Sequence, residues 1–324
     1  MLFGPGHAVH LAAYSRYLSS ATAVVLGEDG TRTLVVPRYE LEAASGHADA
    51  VVAYGDDGFL DFDWLPKLVA TCRELCQGRI GVAGISPFDG AVAIEDLVAQ
   101  VRRVKDDDEL RAVQRSVELT LGAQRQVAQL ADGGMSEIEL FSAALASAQN
   151  EAGEPIEFVG SVFCGPRTAA VASPVEVPGA HRPAGGDPVL ADLAIRAGGY
   201  WGDTTRTTIV GDNQEVAAVV EGIAAILGES GRGLLPGMRA CDVFERMRRA
   251  ILARFPEGVF AHHAGHGIGI EVGEHPQLIP SESMALETGM ILAVEPAVYF
   301  PGRFGVRVED VYAVTAEGGV RLGE

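Results

Sequence analysis

The sequence predicts an α+β chain of two domains, a small α/β domain over residues 1–100 and a larger one over residues 101–324. Three observations predict it. Short apolar runs of period two alternate with helical stretches of period 3.6 along the chain. A length of 324 residues suits roughly two domains of 100–200 residues each. A Gly-Met-led amphipathic helix, GMSEIELFSAAL from Gly134, returns as GMRACDVFERMR from Gly237, and each copy is followed by a hairpin pattern.

In the first domain, ATAVVLGEDGTRTLVVP reads as a hairpin around Glu28-Asp29-Gly30. VVAYGDDG and RIGVAGIS read as strands, and WLPKLVATCREL as a helix. A long helix is predicted to start near Val104-Lys105-Asp106, because Asp106, Asp107 and Asp108 favour a helix N-terminus through capping and the dipole. Apolar residues at 110, 113, 117, 121, 127 and 130 keep one stripe until Gly133-Gly134.

The stretch Val189–Gly211, VLADLAIRAGGYWGDTTRTTIVG, reads as two strands joined by a tight turn. With the turn centred between Ala197 and Gly198, Asp192 and Asp203 are expected directly opposite each other. Opposed Cβ atoms lie roughly 4.5–5.5 Å apart, too close for two carboxylates unless a proton or a cation intervenes. Downstream, MILAVEPAVYFPGRFGVRVEDVYAVT is expected to place Glu295 and Glu309 on strands either side of a Pro301-Gly302 turn, with Arg307 on the face of Glu309. Between the hairpins, AHHAGHGIGIEVGEHP brackets His266 with glycines at 265, 267 and 269, which are expected to let the backbone approach whatever His266 binds.

Taken singly, each piece has an ordinary explanation. A buried aspartate in a hairpin is usually a turn or cap residue, and Glu309-Asp310 alone reads as an edge-strand charge pair. Together, two Asp, two Glu and one His form a hard, oxygen-rich set suited to a pair of divalent ions such as manganese, cobalt, iron or zinc. Four carboxylates match the charge of two dications, which two-metal hydrolases hold roughly 3.5–4 Å apart.

DLAIRAGGYWGDTTRT, HHAGHGIGIEVGE, VEPAVY and GVRVED resemble the metal-site motifs of the prolidase, aminopeptidase P and creatinase superfamily, whose catalytic domain has the pita-bread fold. The resemblance spans most of residues 101–324 and continues more weakly into 1–100, which resembles the N-terminal domain of those relatives but is short at its start. It implies Asp192, Asp203, His266, Glu295 and Glu309 as metal ligands, Asp203 and Glu309 bridging, Asp192 on the more exposed ion and His266 on the more buried one. It also implies that Glu295 shuttles protons to and from a water shared by the ions, and that the protein is a homodimer.

His262 matches a family histidine four residues before the ligand and is a catalytic candidate, as is Arg307, which either orients a carboxylate or holds one from the substrate. Tyr299, His263 and His275 are candidates for substrate binding, the two histidines being additional to the family pattern. Two departures bear on substrate: where Xaa-Pro-cleaving relatives carry histidines, this sequence has Ala172 and Gly273.

Three readings fit this pattern. One is a dinuclear metallopeptidase acting on short peptides, as an Xaa-Pro dipeptidase or aminopeptidase. Another is a metal-dependent hydrolase or lyase of a small non-peptide amide or amidine. The third is a peptide-binding module without catalysis, which has no need of five intact ligands.

Composition narrows the partners. A net charge of −19, from 44 acidic against 25 basic residues, argues against nucleic acid or an anionic membrane. Four cysteines without a paired C-x-x-C pattern point to reduced thiols in the cytoplasm. The N-terminus lacks the basic start and apolar run of a signal peptide, and no run of 18 apolar residues is present.

Overall fold

The computed structural model describes residues 2–3, 22–55, 63–76, 78–83, 88–170 and 177–323. It divides into two compact units, Met1–Arg102 and Arg103–Glu324.

The first unit is built on a four-stranded sheet of β1 (Leu2–Phe3), β2 (Ala23–Leu26), β3 (Arg32–Pro37) and β4 (Ala50–Tyr54), in that order. The β2–β3 hairpin turns through Glu28-Asp29-Gly30 as expected, with Gly30 at φ 85°. Strand β4 adds in parallel after the short helix α1 (Leu41–Ala44). WLPKLVATCREL is helix α2 (Trp64–Leu75), which buries Leu68 and Cys72 against Val25, Val35 and Tyr54. In RIGVAGIS only β5 (Gly81–Val82) is a strand among the described residues, paired in parallel with β6 (Val92–Ala93) ahead of α3 (Glu95–Arg103).

The second unit opens on α4 (Asp107–Leu130), the long helix the apolar stripe predicted. Asp106 caps it: Oδ1 accepts from the backbone N–H groups of Asp108 and Glu109, and Glu109 Oε2 accepts from Asp106 N–H. Helices α4 and α5 (Glu137–Ala152) cover the antiparallel sheet β7 (Glu157–Cys164), β8 (Pro188–Ala197) and β9 (Tyr200–Ile209). Leu119, Ala123 and Val127 of α4 meet Leu140 and Ala144 of α5 and Leu193 and Ile195 of β8 in one core.

A second half repeats the plan. Helices α6 (Gln214–Arg232) and α7 (Ala240–Arg254) pack on a five-stranded sheet ordered β11 (Glu274–Gln277), β10 (Gly265–Gly267), β12 (Ile291–Val294), β15 (Asp310–Thr315), β16 (Gly318–Arg321). The hairpin β13 (Ala297–Phe300) and β14 (Phe304–Arg307) completes it. Both Gly-Met signals mark a helix entry, since α5 and α7 each begin three residues after Gly134 and Gly237. Helices stacked on antiparallel sheets make the unit α+β.

Register corrects the first hairpin. Ala197 pairs with Tyr200 across a two-residue Gly198-Gly199 turn, both glycines at positive φ, so Asp192 stands opposite Thr205 and Asp203 opposite Ala194. The aspartates share a face but sit diagonally rather than face to face. The second hairpin is also interrupted: Val294 pairs with Asp310 and Ala297 with Arg307, and the chain leaves regular pairing between them. Glu295 and Glu309 occupy that gap rather than the interior of a strand.

Candidate metal centre

Each candidate ligand is placed by backbone bonds that have little to do with its own side chain. Two polar residues on α4 hold the hairpin that carries Asp192 and Asp203. Gln124 Nε2 donates to Ala191 O and Thr204 O at 3.1 and 2.8 Å, and Ser116 Oγ lies 2.8 Å from Tyr200 O. Gly202 permits this contact, because a Cβ there would sit 2.3 Å from Val117 N. Glu309 N–H donates to Thr205 O and Glu295 N–H to Ala264 O, which ties both glutamates to neighbouring elements.

The glycines around His266 serve a different purpose from the one expected. A Cβ on Gly265 would lie 2.1 Å from Ala293 O, and one on Gly267 2.7 Å from His275 O. They make room for the adjacent strands β12 and β11, which fixes His266 from both sides. Gly269 clears the buried pair of Lys105 Nζ and Glu274 Oε2, 2.7 Å apart.

The cleft formed this way has a volume of about 520 Å³. Asp192, Asp203, His266, Glu295 and Glu309 all line it, together with His262, His263, Tyr299 and Arg307. Donor atoms of Asp203, His266 and Glu309 lie within 4.8 Å of one another. His266 Nε2 is 3.9 Å from Asp203 Oδ2 and 4.0 Å from Glu295 Oε1. Its Nδ1 lies 2.9 Å from Gly267 O, so Nδ1–H donates to that carbonyl and Nε2 turns its lone pair to the carboxylates, as a metal-binding imidazole must. Asp192 is the least buried of the five, which agrees with its expected place toward solvent.

The carboxylates of the set repel one another, and either protons or a cation relieve that repulsion. Burial pushes Asp203 well above the usual carboxylate range, and the charges of Asp192 and Glu295 add to the effect. Glu309 is raised by burial and then by Asp203 and Glu295. Burial alone would raise Glu295 too, but His263, His262 and Arg307 outweigh it and hold the carboxyl at about 2. Asp203 Oδ1 is buried with no hydrogen-bond partner among the described residues. A divalent ion answers both the repulsion and the orphaned oxygen, and the donor set of carboxylates with one imidazole fits it.

A hydrogen-bonded chain flanks the ligands. Arg307 Nη2 lies 2.5 Å from Asp192 Oδ2, and Arg307 Nη1 donates to Tyr299 Oη at 3.0 Å. Tyr299 O–H donates in turn to His262 Nε2 at 3.0 Å, while His262 Nδ1–H donates to His263 O at 2.6 Å. Both nitrogens are thereby assigned for a neutral ring, and burial pushes His262 down to about 4. His263 stands at the open side, Nδ1 2.9 Å from Glu295 Oε1.

The structure does not bring His275 to the cleft. Side chains alternate along β11, Glu274 turning inward and His275 outward, and His275 Nδ1 lies 3.2 Å from Glu282 Oε2 at the surface. Ala172 lies outside the described residues. At Gly273 an added Cβ would meet only Gln277 Nε2, at 3.9 Å, so packing does not demand glycine there.

Two partners escaped the sequence reading. Thr205 Oγ1–H donates to Glu309 Oε2 at 2.7 Å, and Lys105 holds Glu274, whose Oε1 accepts from Ile270 N–H and Glu271 N–H. The threonine run TTRT was a signal for the first. The second joins residues 169 positions apart and left none.

Comparison with known proteins bears on the fold and the family. PepE of Mycobacterium tuberculosis, named "Probable dipeptidase PepE", is 27% identical over 314 residues, 93% of this chain and 83% of its own length. A prolidase from Thermococcus sibiricus superposes with a TM-score of 0.84 at 25% identity, covering 100% of this chain and 91% of that one. An X-Pro aminopeptidase from Thermotoga maritima has the same TM-score of 0.84 at 23% identity, over 98% and 91%, and shows the fold alone. These folds bear out the pita-bread α+β architecture. The model of metallopeptidase family M24 matches residues 111–316, the stretch that contains all five carboxylate and imidazole candidates, and the chain belongs to that family.

Proposed function

We propose that this chain hydrolyses short peptides with proline after the scissile bond, as an Xaa-Pro dipeptidase or aminopeptidase. The observation that carries the proposal is the convergence of four carboxylates and one lone-pair-directed imidazole in a single cleft. The names of the similar proteins, a dipeptidase, a prolidase and an X-Pro aminopeptidase, support the substrate class.

Asp192, Asp203, His266, Glu295 and Glu309 would hold two divalent ions, with manganese, cobalt, zinc and iron all compatible with the donors. When bound, such ions lower the pKa of a water toward neutrality and polarise a carbonyl. Glu295 would take a proton at Oε1 and pass it toward the leaving nitrogen, with His263 Nδ1 2.9 Å from that oxygen as the nearest imidazole nitrogen. Arg307 would orient Asp192 and Tyr299, and Tyr299 in turn His262, so that Arg307 serves as a positioning group. Phe163, Val177 and Val272 offer an apolar wall for a peptide side chain. The four thiols are free, which suits a reducing compartment, and the homodimer implied by the sequence resemblance belongs to the same reading.

The room left at Gly273 favours a second reading, a small non-peptide amide taken by a cleft that lacks the family histidine. The two separate in one experiment: hydrolysis of a panel of Xaa-Pro and non-proline peptides by metal-stripped protein reconstituted with manganese, cobalt or zinc, with Glu295→Gln as control. Metal-dependent release of proline that vanishes in the variant establishes the peptidase. A protein that loads metal but cleaves no peptide leaves the second reading.

A further inference from the structure

A second cleft, about 570 Å³ in volume, lies between α6 and strands β9, β15 and β16, and the metal chemistry makes no use of it. Its walls carry three guanidinium groups, Arg206, Arg232 and Arg321, against one carboxylate, Asp310. Such a cluster stands out in a chain of net charge −19.

Two of the arginines are preorganised. Arg206 donates from Nη1 to Thr205 O at 2.9 Å and Glu309 O at 2.6 Å, and from Nη2 to Asp310 Oδ1 at 2.5 Å. Arg321 Nε lies 3.0 Å from the other oxygen, Asp310 Oδ2. The buried carboxylate thus fixes one guanidinium on each oxygen, while the side chains of Arg206 and Arg321 stay 28% and 43% exposed.

A purely structural clamp would stop there. Arg232, the last residue of α6, adds a third guanidinium with no ion pair or hydrogen bond among the described residues. The charges of Asp310, Arg321, Arg232 and Arg206 all reach the Tyr312 hydroxyl, so the four groups converge on one region. Three positive charges against one negative leave a surplus of two over an apolar floor that includes Val220 and Leu227.

We propose that this cleft binds a small organic dianion, a phosphate monoester or a dicarboxylate, its charge held by Arg206, Arg232 and Arg321 and its carbon skeleton by Val220 and Leu227. Guanidinium groups in a fixed array are the side chains best matched to planar or tetrahedral oxyanions.

Calorimetric titration of the metal-loaded full chain with phenyl phosphate, and separately with phthalate, tests the proposal. Arg232→Gln removes no ion pair or hydrogen bond among the described residues and is expected to keep both the melting temperature and peptide hydrolysis. Saturable binding of either probe that weakens about tenfold or more in Arg232→Gln and in Arg321→Gln supports the site, and the tighter probe identifies the oxyanion. Binding of equal strength in wild type and both variants would place the anion at the metal centre and overturn the proposal, as would no saturable binding of either probe.

Discussion

Arg307 Nη2 stands 2.5 Å from Asp192 Oδ2, and its Nη1 reaches Tyr299 Oη at 3.0 Å, so one guanidinium joins the most exposed carboxylate of the centre to the Tyr299–His262 chain. A lysine presents a single ammonium in place of the planar two-nitrogen fork that spans these two oxygens. Arg307→Lys is expected to lower metal affinity or kcat about 10- to 100-fold, the usual loss when the partner of a metal ligand is changed. Metal titration and steady-state kinetics check it. A variant with wild-type values for both would remove Arg307 from the positioning role.

Glu295→Gln keeps the size of the side chain and removes its charge. Turnover is expected to fall about 10²- to 10⁴-fold, as for loss of a proton-transfer group. Undiminished kcat with normal metal content would assign the proton to another group.

The pH dependence of metal binding follows from Asp203 and Glu309. Both carboxyls are held well above their ordinary values of 3.8 and 4.5, first by burial and then by neighbouring carboxylates, Asp192 and Glu295 for Asp203 and Asp203 and Glu295 for Glu309. In the metal-free chain their folded-state pKa is raised, so the stability they contribute is complete below those ordinary values and is lost as pH rises through the raised ones. Metal binding must displace the same protons. Apparent metal affinity is therefore expected to climb with pH as long as these carboxyls hold protons and to level off past the raised values, with proton release on adding metal. Titration in two buffers of different ionisation enthalpy reads the protons directly. A flat affinity with no proton release contradicts the account.

Lys105 and Glu274 form a buried pair, with side chains 2% and 10% exposed, that anchors the loop following His266. Lys105→Met leaves the carboxylate buried without its partner and is expected to cost about 3–5 kcal/mol of unfolding free energy. Adding Glu274→Gln to the same chain should recover part of the loss. Denaturant unfolding of the single and double variants measures both.

Gly202→Ala tests the close approach of β9 to α4. The new Cβ would press within 2.3 Å of Val117 N and 2.4 Å of Ser116 C, backbone atoms that cannot turn aside. A loss of about 1–3 kcal/mol is expected, together with weaker metal binding, because Asp203 is the next residue. Thermal unfolding with and without metal separates the two effects.

The five ligand candidates were legible because the chemistry demands particular residue types, and Asp192, Asp203, His266, Glu295 and Glu309 stand at turns and strand patterns that local composition reveals. Helices α2 and α4 were legible for the same reason: an apolar stripe and the Asp106 cap are properties of adjacent residues. Register was not. Moving the turn from Ala197-Gly198 to Gly198-Gly199 shifts the pairing of every residue in the hairpin, and it converts an opposed pair of aspartates into a diagonal one. The Gly-Gly pair carried that information, but Ala197 made a second turn equally easy to draw.

By itself, then, the sequence determined an α+β chain and a candidate metal centre of four carboxylates and one histidine, since residue type, period and capping act over a few positions. Tertiary structure alone decided that His275 faces away, that Thr205 supports Glu309, that the glycines around His266 admit neighbouring strands, and that Arg307 contacts Asp192 and Tyr299. Those outcomes depend on which strands become neighbours and at what offset. That choice is made by burial of the whole core, and a one-residue slip that local preferences barely distinguish turns a side chain from cleft to solvent.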